Sequence, residues 1–175
     1  MQKYIAFLRA INVGGTTIIK MTDLKQMFES FGLENVETYI QTGNVIFGSQ
    51  ESDTSVLEEQ IERQLEIAYG KRIQLFVRTI PEVVKMVAKC PFQPQGEETA
   101  YIAILQSKPA RKNVDQLMSF RSQADDFSVI GKDAYILRRD REKSIFSNHF
   151  VEKILDVPGT TRNLTTMKKL AEKYQ

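Results

Sequence analysis

Two short stretches near the N-terminus and one near the C-terminus carry residue types that could do chemistry. The first runs from Arg9 to Lys20 and holds Asn12, Gly14, Gly15, Thr16 and Thr17 between two cations. The second is Gln41-Thr-Gly-Asn44, and the third is Arg162-Asn163. Cations, hydroxyls, amides and backbone N–H groups exposed by glycine together suit a negatively charged ligand. Candidate ligand-binding residues are therefore Arg9, Asn12, Gly14, Gly15, Lys20, Gln41, Asn44, Arg162 and Asn163. No catalytic residue is assigned, and a reaction at this site is left open.

Each of these features also has a plainer explanation. Gly14-Gly15 is neither a Walker loop nor a dinucleotide fingerprint, and it serves equally as a turn. Thr42-Gly43 with its neighbours is ordinary hairpin chemistry. Asn163 can be a helix N-cap and Arg162 a solvated charge. The residue inventory comes close to excluding several chemistries. One cysteine, Cys90, and one histidine, His149, cannot build a Cys/His zinc site. No Gly-x-Ser-x-Gly elbow exists, and His149 borders an apolar helical stripe. Glu58, Glu59, Glu62 and Glu66 form a solvated helix face. No metal or cofactor is expected.

The elements that must position these residues follow from periodicity. Tyr4 to Arg9 reads as a strand that is apolar on both faces. Thr22 is a candidate N-cap for a helix through Leu24, Met27, Phe28 and Phe31, closed by Gly32. Val36–Gln41 and Asn44–Phe47 read as a hairpin. Asp53 or Ser55 opens a helix ended by Gly70, and Ile73 to Arg78 is another strand. The order β-α-β-β-α-β is the ferredoxin-like split unit. The second half repeats that order loosely, with strands at Ala100–Leu105, Phe127–Ile130 and Ala134–Arg138. Helices are expected at Asn113–Phe120 and Ile145–Leu155. A further helix, Leu164–Tyr174, stands where a last strand would be. The fold class is α+β, with residues 1–80 as a ferredoxin-like subdomain and 81–175 as a variant of it, packed together.

Four motifs resemble a known family. They are Tyr4-Ile-Ala-Phe-Leu-Arg-Ala-Ile-Asn-Val-Gly-Gly15, Ile19-Lys-Met21, Tyr39-Ile-Gln-Thr-Gly-Asn-Val-Ile-Phe47 and Thr160-Thr-Arg-Asn163. The chain resembles the uncharacterised bacterial family catalogued as domain of unknown function 1697. The last motif of that family usually continues into Trp, where this chain has Leu164. The resemblance implies two α/β subdomains and no particular activity.

Sheet topology decides where the chemistry gathers. In a βαββαβ unit strand 1 lies between strands 3 and 4. Arg9–Gly15, Gln41–Asn44 and Lys71-Arg72 therefore converge at one pole. The loop from strand 1 to the first helix is longer than the usual 2–6 residues for such a connection, and long loops in compact domains tend to be functional. A small anionic ligand at this pole is the first functional expectation. An RNA-binding module of RRM topology is the second, because Phe7 and Phe47 lie on the two central strands. A protein-interaction or structural role is the third.

Bulk composition bounds the rest. The chain has 175 residues, 42% hydrophobic and 26% charged, with a net charge of +2. Its pI of about 8.6 falls short of a dedicated nucleic-acid binder. No run approaches the roughly 18 apolar residues of a membrane span. A single cysteine and no signal-like N-terminus point to a cytoplasmic protein without membrane partners.

Overall fold

The computed structural model describes residues 1–14 and 17–175. Its fourteen elements run β1 (Gln2–Leu8), α1 (Met21–Ser30), β2 (Glu34–Tyr39), β3 (Asn44–Ser49), α2 (Thr54–Tyr69), β4 (Leu75–Thr79) and α3 (Ile80–Ala88). They continue with β5 (Thr99–Leu105), α4 (Arg111–Ser119), β6 (Asp125–Ile130), β7 (Asp133–Arg138), α5 (Asn148–Leu155), β8 (Gly159–Asn163) and α6 (Leu164–Tyr174). The chain divides into two units, Met1–Glu82 and Val83–Gln175. Each holds a four-stranded antiparallel sheet, ordered β2-β3-β1-β4 in the first and β6-β7-β5-β8 in the second. The expected α+β class is present, and the split βαββαβ order, expected in full only for the first half, runs through both.

In the first unit, alternation along β1 sends Tyr4, Ala6 and Leu8 to the helix-covered face. There they pack with Leu24 and Phe28 of α1 and Leu57, Ile61 and Leu65 of α2. Ile5 and Phe7 point to the other face and are also fully buried. Asp53 caps α2 by accepting a hydrogen bond from Ser55 N at 2.8 Å. Gly70 ends it at a φ of 68°, a left-handed C-terminal turn that favours glycine. Helix α1 begins two residues earlier than an N-cap at Thr22 would have set it. Lys20 occupies its N-cap position, with no side-chain cap.

The second unit packs Ala103 and Leu105 of β5 against Leu117 of α4 and Val151 and Leu155 of α5. Helix α5 starts at Asn148, because Ser147 Oγ accepts from Phe150 N at 3.0 Å. The larger correction is β8. Gly159-Thr-Thr-Arg-Asn163 pairs antiparallel with β5, Ile102 opposite Arg162 and Ile104 opposite Thr160. The last strand of the unit is thus present, and α6 follows it. A strand of glycine, threonines and arginine has no apolar alternation to announce it; backbone pairing with β5 defines it.

The two units match at the level of single hydrogen bonds. Leu8 N donates to Gly43 O and Leu105 N to Lys132 O, at 2.8 and 3.0 Å. One residue on, Arg9 N donates to Gln74 O and Gln106 N to Pro158 O, at 2.8 and 2.9 Å. Each central strand is therefore closed in the same way by the hairpin on one side and the last strand's approach on the other.

Candidate functional site

The pole at the end of β1 is built from Arg9–Lys20 and the hairpin turn Ile40–Gly43. Asn12 is its latch. Its Nδ2 donates to Ile19 O and to Gln41 O, both at 2.9 Å, and its Oδ1 accepts from Ile19 N at 2.8 Å. Asn12 N also donates to Thr17 O at 2.8 Å. One side chain thus closes the loop on itself and ties it to the hairpin. Ile11 and Ile19 anchor the loop in the core, at 1% and 3% exposure.

The backbone at this pole is held in left-handed conformations. Ala10, Asn12 and Ile40 have φ of 52°, 55° and 52°, and Gly14 and Gly43 have 60° and 81°. Asparagine and glycine accept that region; for β-branched Ile40 it is a genuine outlier. Backbone strain of this kind costs of order 1–3 kcal/mol per residue and clusters at functional sites.

The side chains divide into positioning and presenting groups. Asn44 is fully buried and donates to Tyr39 O at 2.9 Å and Thr42 Oγ1 at 3.1 Å, so it shapes the hairpin turn. Arg9 is half-buried, with Nη1 donating to Gln74 Oε1 at 3.0 Å. Lys20 and Gln41 are exposed. Neither Arg9–Lys20 nor Ile40–Asn44 contains an aspartate or glutamate. Three apolar side chains are also exposed here, Val13 at 60%, Ile18 at 78% and Ile40 at 46%. The sequence reading missed them, because isoleucine and valine in a loop next to a strand look like core.

A family model described as a protein of unknown function, DUF1697, matches residues 1–135. The chain belongs to this family. The match includes the whole loop pole. Among solved structures the chain is similar to the conserved bacterial protein SP0830 from Streptococcus pneumoniae. The two are 22% identical over 99% of each chain, with a TM-score of 0.71. At that identity the likeness speaks for the fold. No curated protein matches the chain.

The remaining sequence-picked residues of this DUF1697 chain are placed as follows. Gly14 is exposed in the loop, and Gly15 lies outside the described residues. Asn163 caps α6, accepting from Thr165 N at 2.8 Å. Arg162 is not a solvated charge at a helix start. It lies buried in β8, donating from Nη1 to Thr160 Oγ1 at 2.9 Å and to Thr161 O at 3.1 Å. Burial lowers its pKa to about 10, so it stays a cation at neutral pH. Arg162 and Asn163 belong to the second unit, Arg9 to Asn44 to the first. Among the described residues, no cluster of three or more His, Cys, Asp or Glu could hold a metal ion. No helix of the described chain is long and apolar enough to cross a membrane.

The aromatic platform of an RRM is not formed by the residues that suggested it. Phe47 pairs with Tyr4 across the strands and stacks on it at 5.6 Å, whereas Phe7 pairs with Asn44 and Phe76. Phe7 and Phe47 therefore lie on opposite faces of the sheet, and both are fully buried. Two bases could not stack on them side by side.

Proposed function

We propose that the pole of the first unit binds a small anionic ligand, with Lys20, Arg9, Gln41 and the loop amides as its contacts. Asn12 and Asn44 act as positioning residues. One observation carries this reading: the equivalent connection in the second unit is far shorter. From β1 to α1 the chain takes twelve residues, Arg9 to Lys20; from β5 to α4 it takes five, Gln106 to Ala110. Both start from the same hydrogen bonds at the strand end. The fold therefore makes this connection without the extra length, which supports a role beyond closure. Two cations without a carboxylate in either loop give the ligand its sign.

A second reading rests on the exposed Val13, Ile18 and Ile40, which suit a protein partner better than a phosphate. One experiment separates the two. Thermal-shift titration with phosphate, sulfate, nucleotides and sugar phosphates is run on the parent, Lys20→Ala and the double variant Val13→Ser/Ile18→Ser. The anion reading expects Lys20→Ala to weaken binding about ten- to a hundredfold, as the loss of a charge-assisted hydrogen bond would. It expects the double variant to bind as the parent does. Absence of any anion-induced shift in the parent, or shifts untouched by Lys20→Ala, refutes it.

A further inference from the structure

A cavity of about 680 Å³ opens in the second unit between the start of β5 and the segment after β7. Its size falls within the range of small-molecule sites. Thr99 and Tyr101 of β5 and Arg138 at the end of β7 line it, with Arg139 and Asp140 beside them, and the exposed side chains of Glu97, Arg141 and Glu142 form its solvent side, the mouth. Thr99 pairs directly with Arg138 across the strands.

Arg138 is held as a fixed guanidinium. It donates from Nη2 to the Tyr101 hydroxyl. Its Cζ lies 5.1 Å from the Tyr101 ring centre and 5.5 Å from that of Phe146, and the two rings are 5.0 Å apart. Cation–π contact on two rings fixes its plane. Yet Arg138 Nε is buried and makes no hydrogen bond among the described residues. No carboxylate pairs with Arg138 among the described residues, so its charge is not neutralised there.

The segment that completes the cavity is itself pinned. Fully buried Asp125 accepts from Ser144 Oγ and, at 2.8 Å, from Ile145 N. Asp140 Oδ1 accepts from the amides of Glu142 and Lys143 at 3.0 and 3.2 Å. Arg139 is already occupied by Asp126 at 3.1 Å. Arg141, Glu97 and Glu142 are exposed and in no ion pair among the described residues.

The first unit shows what the same place looks like when it is closed. Tyr4 matches Tyr101 in register, but it is fully buried and its hydroxyl donates to Glu51 O at 2.7 Å. Where the second unit has Arg138, the first has Ser49. The open cavity and its arginine are specific to the second unit.

We propose that this cavity binds a small zwitterion. Its carboxylate or phosphate group lies on Arg138, and its cationic group faces Glu97 and Glu142 at the mouth. A rigid guanidinium edge matches an oxyanion, and the two exposed carboxylates at the mouth disfavour a ligand that carries negative charge alone. This inference does not depend on the loop pole of the first unit.

The test is amide chemical-shift titration of the full chain with inorganic phosphate and with phosphoethanolamine at constant ionic strength. Saturable shifts are expected at residues 97–101 and 138–146, with phosphoethanolamine binding severalfold more tightly. Arg138→Gln should weaken both about ten- to a hundredfold at those residues. The double variant Glu97→Gln/Glu142→Gln should erase the preference for the amine. Should Arg138→Gln fail to fold, Arg138→Lys replaces it and should weaken phosphate severalfold, because lysine lacks the planar fork. Non-saturating shifts, shifts confined to residues 9–20 and 40–44, or binding indifferent to the substituted arginine would overturn the proposal. A phosphoethanolamine affinity no better than that of phosphate would overturn its zwitterion.

Discussion

Arg78 and Arg162 occupy the same position in the two halves of the chain. Each is buried, at 2% and 6% exposure, and each pairs with an isoleucine of the central strand, Ile5 or Ile102. Each donates from Nη1 to the carbonyl of the residue before it, at 3.0 and 3.1 Å. The next residue caps the following helix in both cases. Thr79 Oγ1 accepts from Glu82 N, and Asn163 Oδ1 accepts from Thr165 N. Arg-Thr-Ile80 and Arg-Asn-Leu164 are therefore one strand-to-helix junction used twice. A buried arginine placed twice at the same junction is a structural device.

The first prediction follows from that burial. Arg162→Lys should destabilise the protein by about 1–3 kcal/mol at pH 7, because lysine cannot reproduce the planar hydrogen-bonding fork. A desolvated lysine also has its pKa depressed in the folded state. The unfolded chain then binds more protons, so stability rises with pH between the folded pKa and the unfolded value. The variant should recover stability from pH 7 towards pH 10. Arg162 itself, lowered only to about 10, contributes no slope between pH 6 and 8. Urea denaturation across pH 6–10 checks both statements.

Gly43 and Gly131 allow a matched comparison of two hairpin glycines. A Cβ on Gly43 would lie 2.6 Å from Ile11 Cδ1 and 3.0 Å from Leu8 Cβ, at a φ of +81°. Gly43→Ala should cost about 2–4 kcal/mol, from overpacking and a left-handed alanine together. A Cβ on Gly131 meets nothing within 4 Å at a φ of +63°, so Gly131→Ala should cost only the backbone term, about 1–2 kcal/mol. Equal costs in denaturation would mean that Ile11 moves aside freely and does not anchor the loop.

The strands and helices with apolar periodicity were readable from the residues alone, and topology then forced the loop beside the hairpin. What escaped was set by partners distant in sequence. Gly159–Asn163 becomes a strand only because β5 offers it an edge, and a Cβ on Gly159 would lie 2.8 Å from Ile104 O. Asn12 and Asn44 were legible as polar loop residues. Their use as latches depends on carbonyls of residues 19, 41 and 39, which no local pattern reveals. Arg138 escaped because Tyr101 and Phe146 reach it from other elements.

Cys90 should react slowly and matter little. Its thiol is half-buried, and burial raises its pKa. The thiolate is the nucleophile, so alkylation by iodoacetamide should be much slower at pH 7.5 than for an exposed cysteine and should accelerate above pH 9. Because the folded pKa is raised, this thiol's contribution to stability is present at neutral pH and is lost as pH rises through the folded value. Cys90→Ser should leave ligand binding unchanged. Rapid labelling at pH 7.5, measured by mass spectrometry, would contradict the assignment.

Asn12 carries the sharpest test of the loop pole, because it supplies no charge and yet sets the loop's shape. Asn12→Ala removes three side-chain hydrogen bonds and leaves alanine at a φ of 55°. Net hydrogen bonds of about 0.5–1.5 kcal/mol each, partly replaced by water, and a left-handed alanine at about 1–2 kcal/mol predict a loss of about 2–4 kcal/mol. Asn12→Gly removes the same bonds but suits the backbone, so it should cost about 1 kcal/mol less. The Ile19 amide, which donates to Asn12 Oδ1, should lose its hydrogen-exchange protection in both variants. If the pole binds an anion through a preshaped loop, both variants should weaken that binding even though Arg9 and Lys20 remain. A variant with an unprotected Ile19 amide and undiminished anion affinity would show that the cations act without the loop's geometry.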